Sequence, residues 1–336
     1  MLFERSVNPG VAAFEGGFLM PENHSVHFAD RVHAAIRRTQ TPVMVGIDPR
    51  PEELPPGFLD QFPTDRAGTA EALRAFGDEV VDLAAPLVPA VKFQLAFYEA
   101  YGPEGVAALH ATAAHAHGKG LIVVLDGKRN DIGSTAEAYA RAYLGKVPVG
   151  GRFEPAWNAD ALTVNPYFGG DGIAPFVKVA AREHNGVFVL LRTSNSTAGE
   201  FQDLMAGDQP VYRHVADRLA GWAAPHEGAC GDSLVGAVIG ATCPAQLAEL
   251  RSLLPRVLFL VPGYGSQGAT ASDVGHAFRA DGTGALVNSS RAITYAYERP
   301  ASRAKFGDDW RAAVLQAIRD MIEDLARHTS AGKLRS

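Results

Sequence analysis

The chain has 336 residues, 47% of them hydrophobic and 20% charged, and its formal net charge at pH 7 is −6. Its 35 glycines and 21 prolines are too few for a low-complexity or collagen-like chain. The sequence contains no basic run typical of nucleic-acid binding, and no apolar run that approaches the roughly 18 residues needed to span a bilayer. The two cysteines form no CxxC pair, so we expect a cytoplasmic protein without disulfides and without a nucleic-acid or membrane partner.

Eight short runs rich in Val, Ile and Leu are spaced along the chain, and none alternates strictly between apolar and polar residues. Runs of this kind are typical of parallel strands that are covered on both faces. The predicted strands are 43–48, 88–93, 121–126, 161–165, 187–192, 234–240, 257–261 and 284–288.

Helical spacing of apolar residues follows each predicted strand. The predicted helices are 68–85, 104–117, 134–144, 172–182, 212–224, 244–253, 272–279 and 308–327, with a short additional helix at 28–38. Eight strand–helix units predict a single α/β domain with the (β/α)₈ TIM-barrel fold, while an open doubly wound sheet is the alternative. The barrel domain is assigned to residues 27–328, between a poorly ordered N-terminal extension, 1–26, and a C-terminal tail, 329–336. Loop insertions are expected, above all the Gly- and Pro-rich connector 145–160.

Charged side chains collect where the first three predicted strands end. Asp48 ends the first strand, Lys92 lies in the second, and Asp126 ends the third, with Lys128 and Asp131 just beyond it. In TIM barrels these strand ends form the active site. Alternating charges in one enclosure hold a cation where negative charge develops, and can deliver a proton there. Strand ends that simply meet solvent are one alternative, but that poorly explains Lys92 within the apolar VPAVKFQLAF. A structural ion-pair network is the other alternative.

The loops after the last two predicted strands favour a phosphate site. The segment GYGSQG, 263–268, combines glycines with the start of a helix, where backbone N–H groups bind anions. Arg291, in NSSR after the eighth strand, would add a guanidinium. A dinucleotide fingerprint shares the glycine spacing, but it needs an acidic residue where this chain has Asn288. No histidine and acid spacing indicates a metal, so neither a metal nor an organic cofactor is expected.

The chain resembles the orotidine 5′-phosphate decarboxylase family, and in particular the longer sequences of its type 2 subgroup. The resemblance covers roughly residues 28–328. It rests on the motifs VGIDPRP (45–51), VKFQLAFYEAYG (91–102), VVLDGKRNDIGSTA (123–136), TVNPYFGGDG (163–172), LLRTSNSTAGEFQ (190–202), VPGYGSQG (261–268) and NSSRAI (288–293).

The resemblance implies conversion of orotidine 5′-monophosphate (OMP) to uridine 5′-monophosphate (UMP) and CO₂, in pyrimidine nucleotide synthesis. It implies that Lys128 donates the proton to pyrimidine C6, and that Asp126, Asp131, Lys92 and Asp48 complete the catalytic set. It also implies a homodimer in which Asp131 reaches the neighbouring subunit's site. The implied substrate-binding residues are Ile132 and Thr135, also across the interface, Asn165, Ser194 at the pyrimidine edge, and Gly265, Gln267, Ser290 and Arg291 around the phosphate.

Two other functions remain open from the residues alone. A related sugar-phosphate decarboxylase or aldolase would use the same DxK core with Mg²⁺ or with a Schiff-base lysine. A non-catalytic nucleotide-binding barrel would bind UMP tightly without turnover, although a binder has no use for a lysine held between carboxylates.

Overall fold

The structure is a computed structural model that describes residues 25–265 and 267–335. Within them, eight parallel strands close into a barrel in which each strand pairs with the next, and β8 pairs with β1 through Val43 and Val287. The strands are β1 Val43–Ile47, β2 Ala90–Gln94, β3 Ile122–Arg129, β4 Ala161–Val164, β5 Gly186–Arg192, β6 Val235–Ile239, β7 Phe259–Pro262 and β8 Ala285–Ser289. The predicted TIM barrel is confirmed, and the closed strand order excludes the open sheet.

Helices surround the barrel, and several are short pieces in the loops at the C-terminal ends of the strands. They are α1 Phe28–Thr39, α2 Arg66–Ala84, α3 Leu95–Glu99, α4 Gly102–Gly118, α5 Gly133–Leu144, α6 Gly169–Glu183, α7 Gly199–Gln202, α8 Val211–Ala223, α9 Pro244–Leu253, α10 Ala271–Val274, α11 Arg291–Thr294, α12 Pro300–Phe306 and α13 Trp310–His328. None of the helices in the described ranges is long and apolar enough to cross a membrane.

Two predicted segments differ from the structure. The predicted helix 272–279 is wrong in length, because α10 gives way to a 3₁₀ turn at Gly275–Ala277. The chain then leaves the helical direction, and Arg279 donates to the buried carboxylate of Asp232. The connector 145–160 contains a short antiparallel hairpin, whose Gly150 and Gly151 both adopt the positive φ of a tight two-residue turn.

The chain ends contribute differently to the described structure. Residues 1–24 of the predicted N-terminal extension lie outside the part of the chain that the structure describes. Near the C-terminus, Ser330–Arg335 forms a 3₁₀ helix with Ala331 buried. The Ser330 hydroxyl donates to the carbonyl of Arg279, so this segment is attached to the loop before β8.

Helix α1 closes the barrel at the N-terminal ends of the strands. Its Phe28 is fully buried and meets Phe188 of β5 edge to face, with ring centroids 5.9 Å apart. Gly186 makes room for this ring, because a Cβ there would lie 2.3 Å from the Phe28 ring atoms. Beside them, Arg31 of α1 pairs with the buried Asp160. The end of the barrel opposite the charged strand ends is therefore tightly packed.

We expect Phe28→Ala to lower the free energy of unfolding by about 3–5 kcal/mol, because the truncation leaves a cavity that the closed barrel cannot fill. Urea-induced unfolding followed by circular dichroism would measure the loss. Phe153→Ala is the matched control, since Phe153 is 70% exposed on the hairpin, and it should change stability by less than about 0.5 kcal/mol. Equal effects of the two variants would contradict the role of Phe28 in packing the N-terminal end of the barrel.

Candidate active site

A cavity of about 950 Å³ opens at the C-terminal ends of the barrel strands. Inward-facing side chains of five strands line its base: Thr163, Leu190, Val238, Leu260 and Asn288. The base is apolar along β5, β6 and β7 and polar at β4 and β8. Charged groups from β1, β2 and β3 stand along one side, so the cavity has one charged wall and one apolar region.

Four of the predicted charged residues meet on that wall. The Lys92 Nζ lies 3.8 Å from Asp48 Oδ1 and 3.1 Å from Asp126 Oδ2. The Lys128 Nζ lies 2.7 Å from the other oxygen, Asp126 Oδ1. The order of charges across the wall is therefore Asp48, Lys92, Asp126, Lys128. The Lys92 side chain is 5% exposed and that of Lys128 is 44% exposed, so Lys128 is the more accessible of the two cations that line the cavity.

Mutual pairing keeps the buried members of this array ionised. Burial alone would raise the pKa of Asp126, but Lys92 and Lys128 more than offset it and hold that pKa well below its usual range. Burial would likewise lower the pKa of Lys92, yet the carboxylates of Asp48 and Asp126 raise it above its ordinary value. At neutral pH both groups are charged, and the cavity holds a fixed pattern of two cations and two anions.

Lys128 occupies an irregular part of β3. The pairing of β3 with β4 shifts between Leu125 and Arg129, so a bulge carries Asp126, Gly127 and Lys128. Lys128 has φ of +47°, which is unusual for a residue with a side chain and costs roughly 1–3 kcal/mol of backbone strain. Its N–H donates to the Thr163 hydroxyl at 2.9 Å. Strain at a residue of this kind is typical of functional sites.

The loop after β5 brings Ser194 to the cavity. Arg192, at the end of β5, pairs with Asp203 through two hydrogen bonds of 3.1 and 2.9 Å. The Gln202 amide bonds to both the N–H and the hydroxyl of Thr193. Gly240 allows the loop to pass, because a Cβ there would lie 2.6 Å from the Ser194 Cβ. Ser194 is thus held from both ends of its loop.

The loops after β7 and β8 form part of the cavity rim, and three of the four residues predicted there line the cavity. Gln267, Ser290 and Arg291 line the cavity, as Lys128 does. Gly265 is not among the residues that line this cavity, and its N–H donates to the Ala269 carbonyl at 2.9 Å within the loop. Ser290 fits only because Gly46 of β1 has no side chain, since a Cβ there would lie 1.8 Å from the Ser290 Oγ.

Four further predicted residues lie away from the wall of this cavity in the described chain. The Asn165 side chain accepts from the Tyr167 N–H and caps a 3₁₀ turn, so its predicted substrate contact is not supported. Asp131 accepts from the Ile132 N–H, and Ile132 is 56% exposed. Thr135 is also exposed, on the first turn of α5. The last three form an outward-facing group beside the cavity mouth.

Two hydrogen-bond partners of Asp126 were not predicted from the sequence. The Gln94 amide donates to Asp126 Oδ2 at 3.2 Å, and the Thr163 hydroxyl donates to Asp126 Oδ1 at 2.8 Å. Both had a signal in the sequence. Gln94 follows Lys92 by two residues, so strand alternation puts both on the same face, and Thr163 is the polar residue in the otherwise apolar strand ALTV.

Within the described residues, one group of potential metal ligands occurs, at the opposite end of the barrel. His33, Cys230 and Asp232 present ligand atoms within 4.8 Å of one another. Both oxygens of Asp232 are already engaged, by His33 at 2.6 Å and by the Arg279 guanidinium at 2.5 and 2.8 Å. A cation in contact with Asp232 disfavours a second one, so we interpret the group as a structural ion-pair network.

Comparisons with known proteins by family model, by sequence and by structure all indicate the same enzyme family. Residues 41–306 match the family model described as the orotidine 5′-phosphate decarboxylase / HUMPS family. An orotidine 5′-phosphate decarboxylase of Rhodopirellula baltica is 46% identical over 303 residues, which cover 89% of this chain and 98% of the relative. One of Caldicellulosiruptor bescii is 39% identical over 81% of this chain and 91% of its own length. A solved structure from Streptomyces avermitilis, described as a putative orotidine 5′-phosphate decarboxylase, superposes on this chain with a TM-score of 0.72. Its sequence is 33% identical, and the match covers 91% of this chain and 96% of that chain.

The charge array predicts a pH-dependent contribution to stability. Because folding lowers the pKa of Asp126, its ionisation stabilises the fold fully above the ordinary value of 3.8, and this contribution is lost as the pH falls from there through the lowered pKa of the folded protein. We expect Asp126→Asn to lower the free energy of unfolding by about 2–3 kcal/mol at pH 7, and this difference should shrink progressively as the pH is lowered below 3.8 towards that pKa. Urea titrations at several pH values would measure this. Asp131→Asn is the control and should stay within about 0.5 kcal/mol; a difference for Asp126→Asn that does not change with pH would contradict the expectation.

Proposed function

Because the chain belongs to the orotidine 5′-phosphate decarboxylase / HUMPS family, we propose that this cavity converts OMP to UMP and CO₂, with Lys128 as the proton donor to C6. The chain is a carboxy-lyase on this assignment. The observation that carries it is the alternating array in which Lys92 and Lys128 flank Asp126, with Lys128 facing the cavity. The relatives named as decarboxylases match nearly the whole chain, which favours this reaction over the aldolase and binding-protein alternatives.

The chemistry of the reaction explains why such an array is useful. Loss of CO₂ leaves an electron pair in an sp² orbital at C6, which the pyrimidine ring cannot delocalise well. An ammonium fixed next to C6 stabilises that charge and then transfers its proton to the carbon, after which solvent restores the proton. Asp126 fixes the Lys128 ammonium by a 2.7 Å hydrogen bond. Preorganised charge of this kind requires no reorganisation as the reaction proceeds.

The rest of the cavity suits the remainder of the nucleotide. We assign Asp48 and Lys92 to the ribose hydroxyls, and Ser194 to the polar edge of the pyrimidine. Gln267, Ser290 and Arg291 are assigned to the phosphate, where a guanidinium binds two oxygens at once. Phosphate binding is remote from C6, so its free energy can hold the base against Lys128.

The proposed reaction uses no metal and no organic cofactor, since Lys128 supplies both the positive charge and the proton. Activity in excess EDTA would therefore support the proposal over a Mg²⁺-dependent relative. Failure to trap the substrate with borohydride would argue against a Schiff-base aldolase.

We further propose a homodimer, membership of the type 2 subgroup, and a cytoplasmic location. Asp131, Ile132 and Thr135 are outward-facing beside the cavity mouth, and an exposed isoleucine next to a site suits burial against a second copy. In the proposed dimer each copy contributes these residues to the cavity of the other. The free thiols of Cys230 and Cys243 fit a reducing compartment.

We expect Lys128→Ala to lower kcat for OMP by at least about 10⁴-fold, because the variant lacks both the cation and the proton donor. The ultraviolet absorbance change of OMP in EDTA buffer measures turnover, and circular dichroism checks that the variant is folded. Lys119→Ala, on the distant α4 side, is the control and should retain normal turnover. Near-normal activity of folded Lys128→Ala would refute the assignment.

The proposed shared site can be tested by mixing two inactive variants. In a heterodimer of Lys128→Ala and Asp131→Ala subunits, one cavity carries both lesions and the other carries neither. Random reassociation of equal amounts should therefore restore about a quarter of the wild-type activity. No recovery, in mixtures shown by mass spectrometry to contain heterodimers, would place Asp131 in its own subunit's site. Full activity of Asp131→Ala by itself would place Asp131 outside both sites.

A further inference from the structure

Thr163 lies beneath the charged wall, at a position where three residues of β3 face a single residue of β4. The register pairs Leu125 with Leu162 and Arg129 with Val164, so Thr163 stands opposite the bulge that ends at Lys128. Its side chain is 1% exposed and lies at the base of the cavity. The β3 bulge displaces backbone N–H groups from the ladder, and each buried one needs another partner.

The Thr163 hydroxyl meets that need and contacts the proposed catalytic pair at the same time. It accepts from the Lys128 N–H at 2.9 Å and lies 2.8 Å from Asp126 Oδ1. A hydroxyl has one hydrogen to donate. Because the backbone N–H is a donor and the Asp126 carboxylate is an acceptor, the hydroxyl hydrogen is directed to Asp126. Both bonds therefore have a fixed direction.

The same Asp126 oxygen also accepts from the Lys128 ammonium. Thr163 thus constrains Lys128 at two points. It bonds to the Lys128 backbone directly, and it acts on the ammonium indirectly, through the Asp126 oxygen that both groups contact. This is a second constraint on a residue whose φ of +47° is itself strained. Without the hydroxyl, the bulge could relax and the ammonium would lose its fixed direction.

We propose that Thr163 is a positioning residue for proton transfer, which sets the Lys128 backbone and the Asp126 carboxylate through one hydroxyl. The proposal rests on the proposed function of Lys128. Thr163 itself does not exchange a proton with the substrate. Its effect should therefore fall on the chemical step, and the phosphate and pyrimidine contacts should stay intact.

The test compares Thr163→Val, which keeps the branched shape but lacks the hydroxyl, with Thr163→Ser, which keeps the hydroxyl. Steady-state turnover of OMP should show kcat reduced roughly 10- to 100-fold in Thr163→Val, the size expected for losing a hydrogen bond to a charged group. Thr163→Ser should lie within about 3-fold of wild type. The KM for OMP and the Kd for UMP, by calorimetry, should change less than about 3-fold in both variants.

Thr112→Val is the matched control. Thr112 is also fully buried, but its hydroxyl has no hydrogen-bond partner among the described residues and it lies on α4, outside the cavity. This variant should keep the wild-type kcat. If Thr163→Val does not fold, Thr163→Ala against Thr163→Ser makes the same comparison, because alanine also lacks the hydroxyl.

The outcomes separate this proposal from the proposed function. A wild-type protein that does not turn over OMP refutes the function. A wild-type protein that is active, with a folded Thr163→Val variant of equal kcat, refutes the positioning role alone. Equal losses in Thr163→Val and Thr163→Ser, or a loss that appears in the UMP Kd, would also overturn the positioning role.

Discussion

The structure depends on holding like and unlike charges together where burial removes most of their contact with solvent. Lys92 is almost fully buried, and an unpaired ammonium there would lose its proton. Asp48 and Asp126 keep it charged, and Lys92 in turn keeps Asp126 ionised. Lys92 thus stays charged because the neighbouring strands on both sides supply counter-charges, at 3.8 Å from Asp48 and 3.1 Å from Asp126.

A closed parallel barrel meets this requirement because it brings three consecutive strand ends to one rim. Strands β1, β2 and β3 each contribute a charged residue, and neighbouring strands lie close enough for ion pairs. Fixed charges of this kind need a rigid frame. Helix α1 supplies part of it at the other end of the barrel, where Phe28 packs against Phe188 of β5 and Arg31 pairs with the buried Asp160.

The irregular part of β3 lies on the side of the barrel that faces the proposed substrate. The β3 bulge and the positive φ of Lys128 would weaken an ordinary strand, yet they place an ammonium within the cavity instead of along the barrel wall. The Thr163 hydroxyl and the Asp126 carboxylate hold this geometry. The loop of Ser194 is also held by side-chain hydrogen bonds. Arg192 and Gln202 fix the start of the loop, while Ser194 lines the cavity.

The sequence alone determined the fold, the wall Asp48–Lys92–Asp126–Lys128 and the loops that carry Ser194, Gln267 and Arg291, because strand periodicity fixes which residues come to the ends of parallel strands. It did not reveal Thr163 or Gln94 as partners of Asp126, because a hydrogen bond between strands depends on register. Gln94 lies opposite Asp126 in the β2–β3 pairing, and Thr163 lies opposite the β3 bulge, which no local pattern encodes. Nor did it show that Asn165 caps a turn or that the Gly265 N–H is engaged within its own loop. Those outcomes depend on which of several possible partners lies nearest in space, and only the tertiary structure decides that.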